Sequence, residues 1–277
     1  MPPESGSALR VYRRHSGWRM LDLRELWEFR ELLYFLVWRD VKVRYKQTVL
    51  GALWAVLQPA LFMVVFTLIF GRLAHLPSDG VPYPVFVYAG LLPWTFFATA
   101  VTMSSTSLVN SANLITKIYF PRMIVPLAAV GVGLVDLAVA SVLMAGLLAC
   151  YHVPLTPLIL LAPVFMLGVM LAATGIGALL AALTVTYRDF RYIVPFAVQL
   201  GMYATPVVYA ASSVPERWRI PFAINPMTWM TDGFRGSMLG RPPAWDLVLI
   251  SAVAVCVSLV AGIAYFQRVE RRFVDVV

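Results

Sequence analysis

The chain has 277 residues, 60% of them hydrophobic and 13% charged, with a mean hydropathy of +0.78. These values exclude a water-soluble domain, because the apolar residues gather in blocks of about 18 to 30, long enough to cross a hydrocarbon core of roughly 30 Å. The net charge of +8 is unevenly distributed, so it predicts membrane topology and contact with anionic lipid, and no nucleic-acid partner.

Residues 1–20 carry Arg10, Arg13, Arg14 and Arg19 without an apolar run or a small-residue cleavage site, which predicts a basic, poorly ordered cytoplasmic tail and no cleaved signal peptide. Over 21–46 the pattern is that of an amphipathic interfacial helix with a connector: Leu26, Phe29, Leu33 and Leu36 repeat at helical spacing opposite Arg24, Glu28 and Glu31. Trp27, Tyr34 and Trp38 suit that depth.

Residues 47–266 read as an all-α transmembrane domain of six spans, at 48–70, 85–109, 124–150, 158–185, 192–209 and 247–266, followed by a cytoplasmic tail at 267–277. Pro59 and Pro93 predict kinks, since neighbours or water re-satisfy the carbonyls that they free. Between the last two spans, 211–246 holds Val214 to Trp218, Ile220 to Ile224 and Met227 to Leu239, broken by Pro215, Pro221 and Pro226. Each piece is too short to cross, so short amphipathic or re-entrant helices on the external face are expected. Seventeen of the 22 lysines and arginines fall in the N-terminal region, the 110–122 and 187–191 loops and the C-terminal tail, which places both termini in the cytoplasm.

Within these spans Asp136 is the one ionisable residue, too little for most catalysis. It is either a functional group, as intramembrane charges tend to be, or a hydrogen-bonded packing contact beside Ala129, Gly133 and Ala140. Ala173, Gly177 and Ala181 form a small-residue packing stripe. Cys150 and Cys256 stand in different apolar stretches, which argues against a metal site or a disulfide framework.

A polar stripe runs down the second span through Thr95, Thr99, Thr102 and Thr106 to Asn110 and Asn113. Tyr192, Phe196, Gln199 and Tyr203 share one face of the fifth span, and Trp54, Gln58, Phe62 and Phe66 one face of the first. Rings that stack on apolar C–H faces, with amides and hydroxyls that replace water, are what a sugar needs, so these stripes are candidates for a conduit lining. The competing reading is that the threonines bond back to the preceding turn and the aromatics fill helix contacts. There is no GxxxxGK[ST] run, so the chain holds no nucleotide loop of its own and any ATP belongs to a partner.

From Leu32 to Leu239 the chain resembles the membrane permeases of ATP-binding-cassette exporters, in the branch exporting O-antigen, teichoic acid and related surface polysaccharides. The resemblance rests on VKVRYKQTVLGALWAVLQP at 41–59, GVPYPVFVYAGLLPWTFF at 80–97, NLITKIYFPRMIVPLAAV at 113–130 and YRDFRYIVPFAVQLGMYATPVVY at 187–209. VPERW at 214–218 and NPMT at 225–228 also match, whereas Trp229 and Asp232 stand where that family usually shows glycine and glutamate. The resemblance implies a homodimer completed by two copies of an ATPase subunit, which binds the ATP and Mg, leaving no cofactor in this chain. It implies a polyprenyl-diphosphate-linked glycan as cargo, moved outward across the inner membrane, and a non-enzymatic role for the permease itself.

It further implies a coupling helix docked on the ATPase at about Asn113 to Pro121, with Asn113, Thr116, Lys117, Tyr119 and Phe120 as contacts. An external gate is implied at 211–246, with Tyr209, Trp218, Trp229 and Phe234. Two rivals are an exporter of a drug or small lipid with the same architecture, and a membrane transferase acting on polyprenyl lipids. The latter needs acidic or histidine clusters, and His15, His75 and His152 are scattered.

Overall fold

The computed structural model describes residues 23–46, 51 and 53–270. The predicted tail at 1–20, most of the tail at 267–277 and the first residues of the 48–70 span lie outside them. Every regular element among the described residues is helical: α1 Leu23–Glu28, α2 Arg30–Lys46, α3 Leu53–Phe66, α4 Tyr83–Asn110, α5 Ala112–Lys117, α6 Ile124–Cys150, α7 Ala162–Thr186, α8 Phe190–Ala204, α9 Glu216–Ile224, α10 Thr228–Leu239 and α11 Trp245–Glu270. A π-helical stretch, Thr67–Leu73, prolongs α3, and a 3-10 turn, Pro157–Leu161, leads into α7.

Five of these helical stretches are long and apolar enough to cross a bilayer: Leu53–Leu73, Tyr83–Asn110, Ile124–Cys150, Pro157–Thr186 and Trp245–Glu270. The predicted span at 192–209 is instead the 15-residue α8, ending at Ala204. The cause is local. Thr205 precedes Pro206, whose ring drives the preceding residue out of the helical region, and Thr205 is extended at φ −109°, ψ 139°. The amphipathic segment also differs from one continuous helix. It breaks at Phe29, and α2 continues to Lys46, packed along α6.

Helix α4 is the hub, touching α3, α6, α7, α8 and α10. Its faces are assigned by what each side chain meets. Phe96 and Ala100 lie against Gly133 of α6, Ser104 lies against Gly177 of α7, and Trp94 lies against Gly201 of α8. Small residues on the partner helices permit these approaches, the usual means of tight packing where lipid supplies no hydrophobic drive. The closest crossing joins α7 to α11: a Cβ on Gly262 would run into the carbonyl oxygen of Gly175. Ala173, Gly177 and Ala181 are buried, in keeping with their expected packing role.

Two apolar clusters hold the bundle. One is centred on α4 and reaches α9 and α10 through Ala223, Trp229 and Phe234. The other, at the opposite end, joins Leu36 of α2 with Leu108, Ile115, Phe120, Ile124, Val185 and Phe266. Gly240 closes α10 in the left-handed region at φ 73°, which glycine adopts without a Cβ clash.

Candidate transport path

At about 100° per residue the threonine stripe of α4 points away from the Phe96–Ala100, Ser104 and Trp94 sides that meet α6, α7 and α8. Thr95, Thr99, Thr102 and Thr106 are all half-buried there. Thr95 donates to the Leu92 carbonyl at 3.1 Å and Thr106 to the Met103 carbonyl at 3.4 Å, so these two satisfy themselves on the preceding turn. Among the described residues the Thr99 and Thr102 hydroxyls make no such bond, which leaves two unbonded donors on that face. Asn110, at the end of the stripe, is exposed and donates to Thr106 Oγ1 at 3.4 Å.

Beside that face sits the group that resolves Asp136. Arg44 of α2 pairs with Asp136 Oδ2 at 2.9 Å, the Tyr45 hydroxyl donates to Oδ1, and the same arginine nitrogen reaches Met103 Sδ at 3.5 Å. Met103 follows Thr102 on α4, so one guanidinium links α2 to the carboxylate of α6 and to α4. Burial and the bond to Asp136 push the Tyr45 phenol up to about 12, which keeps it a donor. Arg44 and Tyr45 stand inside the VKVRYKQ run, but a helix reading of the sequence did not single them out. Their signal is the rare placement of cations on a helix that also packs on a span.

The other two stripes are solvent-accessible in a single chain. On α8, Tyr192, Phe196, Gln199 and Tyr203 are all exposed, and on α3 so are Trp54, Gln58 and Phe62. Phe62 stacks on the buried Phe66 with ring centres 5.7 Å apart. Helix α3 packs against α4 and α6, and α8 against α4 and α7, so within one chain these two faces flank the hub on different sides. Under α8 lies an apolar cleft of about 230 Å³ lined by Trp94, Phe97, Leu180, Val194, Val198 and Met227.

At the Ala112–Phe120 end the predicted coupling residues divide. Asn113, Thr116, Lys117 and Tyr119 are exposed, whereas Phe120 is 4% exposed and anchors the loop in the apolar cluster with Ile115. Arg122 donates to the backbone carbonyl of Glu270, tying this loop to the end of α11.

At the opposite end the predicted gate residues divide in the same way. Tyr209 and Trp218 line an open cleft with Val214, Pro215 and Phe222, and the Tyr209 hydroxyl donates to the Tyr203 carbonyl at 3.2 Å, joining the cleft to the end of the α8 stripe. Trp229 and Phe234 are 5% and 4% exposed and fix α10 to the bundle.

Beneath them lies Arg235, wholly buried, bonded to Asp232 at 2.8 Å and to the Val207 carbonyl at 3.2 Å. Burial lowers its proton affinity and Asp232 partly restores it. Gly90 leaves the space: a Cβ there would stand 2.9 Å from the Val207 oxygen and 3.3 Å from the guanidinium. In sequence Arg235 is one more loop cation; its burial becomes legible only once α10 is folded against α4. A further anchor at this end is Arg241, paired with Asp79, which also accepts from the Ser212 hydroxyl at 2.7 Å. No group of three potential metal ligands occurs among the described residues.

The sequence profile of the ABC-2 type transporter family matches residues 31–239, which takes in α2 through α10. The O-antigen export system permease protein RfbA of Myxococcus xanthus is 32% identical over 258 residues, covering 91% of this chain and 98% of that protein. A protein of the same name from Klebsiella pneumoniae is 28% identical over 247 residues, covering 89% and 95%. The polysialic acid transport protein KpsM of Escherichia coli is more distant, at 22% identity over 238 residues. A bundle built around one apolar hub, matched over that length, is a multi-pass membrane permease, and the chain belongs to the ABC-2 type transporter family.

Proposed function

We propose that this chain is the permease half of an exporter that carries a polyprenyl-diphosphate-linked polysaccharide, O-antigen-like or a related surface glycan, outward across the inner membrane. The observation that carries this reading is the pair of exposed aromatic and amide faces on α3 and α8, with a half-buried threonine face on α4, in a chain that aligns over 91% of its length with an O-antigen export permease. Exposed Gln58 and Gln199 are costly against lipid and useful against sugar hydroxyls. A homodimer puts those faces toward a shared passage. In this arrangement α8 crosses as the sixth helix, both termini are cytoplasmic, and residues 47–266 form the permease domain.

Energy comes from two copies of an ATP-binding-cassette ATPase, which bind the ATP and Mg and dock on Asn113, Thr116, Lys117 and Tyr119. Phe120 holds that loop to the bundle. The external gate at 211–246 presents Tyr209 and Trp218, with Trp229 and Phe234 as its buried footing. Deleting the chain from its host tests the reading. Loss of the glycan from the cell surface, with its lipid-linked form accumulating inside, is the expected result. Undiminished surface glycan would refute it, and a concurrent change in drug resistance would favour a small-molecule exporter.

A further inference from the structure

Arg44 is only half used by the protein. Its Nη1 serves both Asp136, at 2.9 Å, and Met103 Sδ, at 3.5 Å, while its Nε and Nη2 make no hydrogen bond among the described residues and its side chain is 37% exposed. Asp136 does not need that second edge, because its other oxygen accepts from the Tyr45 hydroxyl. The guanidinium, whose carbon also lies 6.0 Å from the centre of the Tyr45 ring, therefore keeps two nitrogens without a hydrogen bond on a partly exposed side chain, donors of the kind that bind phosphate oxygens.

The surrounding charge favours an anion. Arg39 is cancelled by Asp40 at 2.8 Å, which leaves Lys42, Arg44 and Lys46 against the single carboxylate of Asp136. Lys42 and Lys46 are exposed and, two residues either side of Arg44, turn to the other side of α2, so their charge acts at longer range. The C-terminal end of α2 accounts for a cation in its last turn. It does not account for a counter-ion supplied midway along a membrane-spanning helix, nor for the two nitrogens of Arg44 that stay unbonded. Exposed Tyr34 and Trp38 on the same helix suit a membrane interface, so the anion within reach is one that a lipid carries.

We propose that Arg44, oriented by Asp136 and Tyr45, binds the phosphate oxygens of a lipid headgroup through its unbonded nitrogens, beside Met103 of α4. On the export reading above, on which only the lipid's identity rests, that headgroup is the diphosphate of the cargo. Lys42 and Lys46, on the other side of α2, raise the local anion concentration through longer-range attraction, and Arg44 fixes the headgroup's position.

The test is a titration of the full-length chain in detergent with farnesyl diphosphate, with farnesol as the phosphate-free control. Arg44→Gln is expected to weaken farnesyl diphosphate binding about tenfold, with Arg44→Lys in between and farnesol unchanged. The double variant Arg44→Met with Asp136→Leu removes both charges, so it leaves no unpaired ion to unfold the chain, and the same tenfold loss is expected. If that double variant, folded by thermal melting, binds farnesyl diphosphate as tightly as the native chain, the pair is only a structural pin and the site is refuted.

Competition identifies the source. Displacement by phosphatidylglycerol but not by phosphatidylcholine supports the site as one for anionic phospholipid. Retention of farnesyl diphosphate against both supports the cargo diphosphate. Because neither readout involves glycan or ATP, a refuted site leaves the export reading standing, and normal surface glycan in the deletion strain refutes export while leaving the site.

Discussion

The guanidinium carbon of Arg235 lies 4.1 Å from the centre of the Phe86 ring, so the one wholly buried arginine of α10 rests on the face of an aromatic side chain of the hub helix α4. With Asp232 and the Val207 carbonyl completing its surroundings, this cation ties the short helix α10 to the bundle. Asp232→Ala leaves that charge unpaired in an apolar setting and is expected to cost about 3–5 kcal/mol. Replacing both residues, Arg235→Met with Asp232→Leu, is expected to cost much less. Thermal melting of the detergent-solubilised chain compares them; equal losses would show that the ion pair does not hold α10.

The α7–α11 crossing has no slack. Gly262→Val sets a side chain against the backbone of Gly175, which cannot swing aside as a flexible side chain would. A loss at the upper end of overpacking costs, about 3 kcal/mol, is expected, read as reduced folded yield on size-exclusion chromatography. Gly146, where a Cβ meets nothing, is the control: Gly146→Ala is expected to be neutral or slightly stabilising.

Helix α8 offers a test of the conduit that leaves the fold intact. Gln199 and Tyr203 are exposed, so Gln199→Ala with Tyr203→Ala removes no core contact of a single chain. Glycan export in cells is expected to fall severalfold, with the chain's melting temperature unchanged. Export at the native rate would exclude this face from the passage.

The Ala112–Phe120 loop separates docking from anchoring. Lys117→Glu with Tyr119→Ala alters the exposed side and is expected to leave the permease folded while ATP hydrolysis proceeds without export. Phe120→Ala opens a cavity in the apolar cluster and is expected to cost about 3–5 kcal/mol, so its defect appears as instability. Normal glycan export in the first variant would remove the loop from energy coupling.

Helix positions were largely legible from hydropathy. The predicted spans at 85–109 and 124–150 meet Tyr83–Asn110 and Ile124–Cys150, because a long apolar run has one way to satisfy its backbone in lipid. The fifth span was less legible, since apolar residues continue past Ala204 while Pro206 redirects the chain, and hydropathy does not register backbone angles.

Site residues follow the same divide. Trp54, Gln58, Phe62 and the α8 stripe are exposed, but so are Leu61, Val64 and Val65 of α3 and Ile193 and Leu200 of α8, so exposure in a single chain does not single the stripes out. Trp229 and Phe234 face the bundle, and aromatic content alone does not say which side of a short helix is turned in. The partner of Asp136 came from a helix distant in sequence, so nothing near the aspartate announced it. Of the two readings of the threonine stripe, Thr95 and Thr106 follow the back-bonded one, and Thr99 and Thr102 retain hydroxyls for other use.

A 15-residue helix rises about 22 Å, roughly 8 Å less than a typical hydrocarbon thickness. Were α8 to serve as the proposed sixth crossing, the lipid beside it would have to compress by that amount, and Pro206, which follows the end of the helix, would set where the thinning falls.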